Sequence, residues 1–136
     1  MDIADKRTLI QHRFSTARDE LDAAQVLIDA GKYRKAISSA YYAVFHIASA
    51  VLLWHDHERV KHSGVESEFN LLLVKSGRIE AEYGRIYMKA RRERERSDYD
   101  ILAAPPTAPE AQASLNDAQR FAERMERYLR EAGALP

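Results

Sequence analysis

The residues from Tyr33 to Leu52 are apolar on every side when laid on a helix. Ile37, Tyr41, Val44, Ala48 and Val51 recur at steps of four and three, and Tyr42, Phe45, Ile47 and Leu52 fill the other faces. Such a helix has no face to give to water, so it belongs at the centre of a bundle or against another subunit. Its most apolar part, Ala40 to Trp54, is 15 residues long and carries His46 and Ser49. That is short of the roughly twenty residues a bilayer span requires, so we expect a buried central helix and no membrane partner.

Amphipathic patterns flank this segment. Ile10, Phe14, Ala17, Leu21, Ala24 and Ile28 mark a first helix that Gly31 ends. Ser63-x-x-Glu66 has the form of a capping box before Val65, Phe69 and Leu72, a short helix that Gly77 can terminate. A fourth helix carries the inner stripe Ile79, Tyr83, Ile86 and Ala90, and the next position on that stripe is Arg94, where an apolar residue is expected. Prolines 105, 106 and 109 break the pattern, and Thr107-x-x-Glu110 restarts it for Ala111, Leu115, Ala118, Ala122, Met125 and Leu129. The expectation is an all-α bundle of four long helices plus a short one, a single domain over residues 1–136.

The chain holds no cysteine, which excludes disulfides, thiolate metal sites and a cysteine nucleophile. The N-terminus has no apolar segment after a basic start, so it does not read as a secretory signal and a cytoplasmic location is expected. Twenty-one basic residues balance 21 acidic ones, so anion binding must come from local clustering. There is no glycine-rich phosphate loop, and we expect no cofactor. His55, His57 and His62 lie close in sequence, but no acidic or thiol ligand completes a metal-binding spacing. Tyr41, Tyr42 and Phe45 read as core, and His46 as a buried histidine with a hydrogen-bond partner.

Clustering occurs between Lys89 and Asp100. Lys89, Arg91, Arg92, Arg94 and Arg96 outnumber Glu93 and Glu95, and Tyr87, Arg91, Arg94 and Asp98 share one helical face. Two readings stand. The run is a solvated face with internal salt bridges, Asp98 pairing with Arg94 at the helix end. Or Arg91, Arg92 and Arg94 bind phosphates, with Tyr87 and Tyr99 stacking on a base. RNA or a nucleotide suits the second reading, whereas duplex DNA does not, because no recognition-helix arrangement is present.

The segments Tyr33-Arg-Lys-Ala-Ile37, Ala40-Tyr-Tyr-Ala-Val-Phe-His46, His62-Ser-Gly64, Val74-Lys-Ser-Gly77 and Arg94-x-x-x-Asp98-Tyr-Asp100 together resemble HEPN-domain proteins, in order and spacing over about residues 5 to 130. They look most like an uncharacterised branch with A-Y-Y-A-x-F-H and D-Y-D signatures. The resemblance implies an up-and-down bundle that forms a homodimer and is encoded beside a minimal nucleotidyltransferase. In many such pairs the HEPN protein is a toxin, a metal-independent endoribonuclease, and some partner enzymes silence it by transferring AMP to a tyrosine. The family's nuclease motif is an arginine followed four to six residues later by a histidine.

This sequence departs from that motif, because its last histidine is His62. Laid on Arg92, the pattern R-x4-H-x-Y places Ser97 at the histidine and Tyr99 at the tyrosine. Arg7-x4-His12 fits the motif literally, but with fifteen arginines and five histidines in 136 positions about 1.7 matches arise by chance. The candidate catalytic pair is therefore Arg94, holding developing charge, and Asp98 or Tyr99 in the histidine's place. Tyr99, flanked by Asp98 and Asp100, is the candidate AMP acceptor, or else a hydroxyl that anchors the loop. Against a nuclease stands a non-catalytic nucleotide-binding module supporting the nucleotidyltransferase.

Overall fold

The computed structural model describes residues 1–57 and 61–136. Among these the chain forms five α-helices: α1 (Ile3–Asp29), α2 (Tyr33–Trp54), α3 (Val65–Phe69), α4 (Ala81–Tyr99) and α5 (Ala108–Glu131). A 3-10 turn at His62–Gly64 leads into α3, and a π-helical turn at Asn70–Val74 prolongs it.

Local chemistry sets the ends of α1. The Asp2 carboxylate accepts from the Asp5 amide at 2.9 Å and caps the start. At the other end Gly31 takes φ +75, so that its amide reaches the Ile28 carbonyl and the Lys32 amide reaches that of Leu27. This paired closure needs a left-handed residue, which glycine adopts without a Cβ clash. It turns the chain straight into α2.

Twelve of the 22 residues of α2 are buried, and the helix packs against α1, α3, α4 and α5. It is longer than its most apolar run suggests, long and apolar enough to cross a bilayer by length and composition alone. Yet 67% of its most apolar window is buried inside the bundle. Each fully buried Val, Ile or Leu contributes about 1.5–3 kcal/mol, so Val44, Ile47, Val51 and Leu52 of α2 anchor the core.

Polar contacts fix the directions. Lys6 of α1 donates to the Trp54 carbonyl at the end of α2, and Gln25 near the end of α1 meets Gln112 near the start of α5. Arg124 of α5 holds Glu80 just before α4 at 2.7 Å, while Arg96 near the end of α4 meets Glu110 at the start of α5. Consecutive long helices thus run antiparallel, and the bundle is up-and-down.

Two sequence expectations need correction. Ser63-x-x-Glu66 forms no capping box: Gly64 is the N-cap of α3 without a side-chain bond, and the Glu66 carboxylate turns instead to Arg91 at 2.6 Å. A charge-assisted bond to a guanidinium outcompetes a neutral cap. Ile79 is buried as expected but precedes α4, in the turn that follows Gly77. The second forms in half: Thr107 caps α5, accepting from the Glu110 amide at 3.3 Å, while the Glu110 carboxylate accepts from the Thr107 hydroxyl and not from its amide.

Candidate functional site

The C-terminal half of α4 crosses the N-terminal half of α2 and lays Arg94 on the Tyr41 and Tyr42 rings. Its guanidinium carbon is 4.8 Å from the Tyr41 centroid and 5.4 Å from that of Tyr42. Tyr99, at the end of α4, adds a third ring at 5.6 Å. This explains an arginine on an apolar stripe, since aromatic faces are apolar to pack against and still attract a cation. Nη1 donates to the Tyr42 hydroxyl at 3.3 Å, while Nε is buried and has no hydrogen-bond partner.

The 3-10 turn brings His62 to the same place. Its ring lies 4.0 Å from Phe45 and 5.9 Å from Tyr42, centroid to centroid, and its Nε2 is 2.9 Å from the Tyr41 hydroxyl. Partial burial and the positive charge of Arg94 push its pKa below the usual histidine value. The imidazole is therefore neutral at neutral pH, and the residue remains accessible to solvent. Tyr41, His62, Ser63, Glu66, Arg91 and Arg94 line a cleft of about 400 Å³.

Other sequence candidates are placed differently. Tyr87 is 1% exposed, its ring packed near Phe69 and Phe121, so it cannot stack on a base as expected. Only its hydroxyl, buried and without a partner, is a polar group at the cleft wall. Arg91 is engaged by Glu66 at 2.6 Å and Glu95 at 3.3 Å. Arg96 is paired with Glu110, so part of the basic run is an internally bridged face, whereas Lys89 and Arg92 are exposed. Asp98 is exposed and does not line the cleft, and the Asp98–Arg94 ion pair does not form, because the aromatic rings hold the guanidinium. Ser97, where the motif laid on Arg92 would put a histidine, is buried. Tyr99 is 67% exposed. Asp100 ties the following loop instead, accepting from the Leu102 amide at 3.0 Å.

Sequence reasoning left His62, Tyr41, Tyr42 and Glu66 outside the site. The available signal was Arg94 itself, because a cation on an apolar stripe needs aromatic or anionic neighbours, and Tyr41-Tyr42 is the aromatic pair of the central helix. The three histidines considered as a metal set lie apart: His55 bonds Tyr128, His57 pairs with Glu68, and His62 bonds Tyr41. Among the described residues no group of three or more His, Asp or Glu side chains is arranged to hold a metal.

Comparison with known proteins agrees with the fold. The HEPN domain family matches residues 10–128. A protein of Methanocaldococcus jannaschii named "putative toxin" is 39% identical over 127 residues, covering 93% of each chain. A UPF0332 protein of Thermotoga maritima is 35% identical over 98 residues, 72% of this chain and 74% of that one. A second M. jannaschii protein of the same printed description is 28% identical over 129 residues, 95% of this chain and 86% of its own.

Proposed function

Because the chain belongs to the HEPN domain family, we propose that it is the toxin-like member of a toxin–antitoxin type module, binding RNA or a nucleotide at the Arg94 cleft. In this reading the same end of the bundle faces a minimal nucleotidyltransferase, and Tyr99 is the hydroxyl that enzyme modifies. Arg92, exposed on the same helix as Arg91 and Arg94, steers the phosphate chain.

One observation carries the reading. The Nε of Arg94 is a buried donor on a charged group and has no partner. Leaving such a donor unsatisfied costs about 1–3 kcal/mol or more. A phosphate oxygen entering the cleft satisfies it, and the planar fork of arginine suits two phosphate oxygens at once. Arg91 is already held by Glu66, so of the two arginines lining the cleft Arg94 is the one with a buried donor left without a partner.

The test is fluorescence anisotropy with a labelled single-stranded oligoribonucleotide. Arg94→Ala is expected to weaken binding by roughly tenfold or more, the worth of a charge-assisted hydrogen bond. Arg94→Lys is expected to recover only part of it, having charge without the fork. Equal affinities across the three proteins would overturn the assignment. Ser97, buried where the motif laid on Arg92 would put a histidine, favours a second reading in which the cleft binds without catalysis; a parent that binds RNA and leaves it intact would support it.

A further inference from the structure

We propose that a cavity between the start of α4 and the middle of α5 binds inorganic hydrogen phosphate, held by Arg124, Arg127 and Tyr83 and selected by Glu123. The site is separate from the Arg94 cleft, with which it shares no lining residue. Tyr83 and Arg94 stand eleven residues apart on α4, about 16 Å along its axis. It does not depend on what the cleft binds.

An unsatisfied donor carries the inference. Arg124 is 11% exposed and uses one edge of its guanidinium on Glu80, Nε donating to Oε1 at 2.7 Å and Nη2 to Oε2 at 3.0 Å. That side-on pairing leaves Nη1 on another edge of the fork, buried and without a hydrogen-bond partner. Glu80 cannot span both edges at once. A buried donor on a charged group with no acceptor is rare in folded proteins and calls for an acceptor from outside the chain.

The cavity at this donor is about 160 Å³ and is lined by Tyr83, Arg120, Glu123, Arg124 and Arg127. The three arginines recur at steps of four and three, so α5 presents them on one face. Arg120 is taken by Glu82 at 2.7 Å. Arg127 is exposed and enters none of the ion pairs among the described residues, which leaves its planar fork open to a ligand. Tyr83 packs its ring near Phe121, 6.5 Å between centroids, and brings a neutral phenol donor to the wall from α4.

Size and direction select the ligand. The volume is below the range of sites that enclose a drug-sized molecule, so it admits a small oxyanion and not a whole nucleotide. Donors reach it from α4 and from two turns of α5, which suits the oxygens of a tetrahedral group better than the two coplanar oxygens of a carboxylate. Charge narrows the class further. Glu80 and Glu82 already balance two of the guanidiniums, so binding rests on directed hydrogen bonds more than on a positive field. Glu123, also outside the ion pairs among the described residues, is a carboxylate in the wall. It repels an anion that has only acceptors, such as sulfate, and accepts a hydrogen bond from the P–OH of hydrogen phosphate. A phosphate monoester has lost one oxygen to its ester and, with a second pKa near 6, most of its P–OH at pH 7.

The test follows thermal unfolding in a buffer free of phosphate, with sodium phosphate, sodium sulfate or a nucleoside monophosphate added at equal ionic strength. Sulfate strengthens apolar burial in any protein, so the reading is the excess of phosphate over sulfate. The parent's midpoint should rise further in phosphate than in the other two, and the rise should grow with concentration as ligand linkage requires. Arg127→Ala, which removes no ion pair of the fold, should weaken phosphate binding about tenfold, the worth of a charge-assisted contact. Tyr83→Phe keeps the ring and should weaken it about threefold or more. Glu123→Gln should bring sulfate close to phosphate, and Arg94→Ala should leave the excess as in the parent. A parent that responds to phosphate and sulfate alike overturns the proposal. So does an excess that survives both Arg127→Ala and Tyr83→Phe, one that disappears in Arg94→Ala, or discrimination that Glu123→Gln leaves unchanged.

Discussion

The Nε of Arg91 and Oε1 of Glu66 stand 2.6 Å apart, joining α4 to the start of α3 across the cleft. Both side chains are more than half covered, 35% and 18% exposed. The pair braces the cleft wall and also neutralises one of its two cations. Glu66→Gln keeps a hydrogen-bond acceptor while removing the charge, so Arg91 becomes available to a phosphate. Affinity for an oligoribonucleotide should rise about three- to tenfold, in line with a partly covered charge pair worth about 1 kcal/mol. The plot of log affinity against log salt should steepen by about one phosphate contact. Anisotropy titrations across salt concentrations measure both, and a lower affinity with an unchanged slope would contradict this account of the pair.

The approach of α4 to the π-helical turn makes a second prediction. A Cβ at Gly84 would lie 2.5 Å from Oδ1 of Asn70 and 3.4 Å from a Val74 methyl. Gly84→Ala should therefore forgo the gain of about 1 kcal/mol that alanine brings to a helix interior. In an Asn70→Ala background the obstruction is gone, and the same change should stabilise. Chemical denaturation of the four proteins of this cycle reads the coupling directly, and equal effects of Gly84→Ala in both backgrounds would refute it.

Stability should also depend on pH. His46, His55 and His62 all have pKa values held below the usual 6.5, in each case first by burial, with nearby cations adding to it. In the unfolded chain these rings take up protons near pH 6.5, while the folded chain resists until lower pH. The unfolded state thus binds more protons in this window, and stability falls as pH drops below about 6.5, with little change above 7.5. Asp56 and Glu80 also have lowered pKa values, but starting from 3.8 and 4.5, so their contribution is lost only at lower pH. Urea midpoints at pH 7.5 and 5.5 should differ, and His55→Gln, which alters the 2.8 Å contact with Tyr128, should reduce the difference. A midpoint independent of pH would exclude the histidines as the cause.

The helices were legible because their signals are local. Spacing of apolar residues, the left-handed glycine at position 31 and the Thr107 cap each act within one turn of chain. Arg94 was legible as a discordance for the same reason. Its neighbours were not, because Tyr41, His62 and Arg94 are brought together by the crossing of α2 and α4 and by a turn that no periodic pattern announces. Glu66 shows the limit from another side. Its spacing from Ser63 suits a cap, but a guanidinium 25 residues away offers the stronger bond, and only the packing of α4 reveals it. Tyr41 was read as core, and it is core, 4% exposed, with its one polar atom at the cleft.

If the proposed pairing with a nucleotidyltransferase holds, Tyr99 is the residue that would link the cleft to that enzyme. Its ring is 67% exposed at the end of α4, while its face lies 5.6 Å from the Arg94 guanidinium carbon. Transfer of AMP from ATP would join the Tyr99 oxygen to the α-phosphorus, break the bond to pyrophosphate and release the phenolic proton. The product places a phosphodiester anion within reach of Arg94, where it competes with an RNA phosphate for the same donors. Silencing then needs no conformational change. Co-expression with the cognate nucleotidyltransferase should add the mass of one adenylyl group to the parent and none to Tyr99→Phe. The adenylylated protein should bind an oligoribonucleotide at least about tenfold more weakly than the unmodified one, the cost of losing a charge-assisted contact. Tyr99→Phe should retain binding because the cation still rests on Tyr41 and Tyr42. Modification at a residue remote from Arg94, or adenylylated protein binding RNA as before, would show that the tyrosine does not control the cleft.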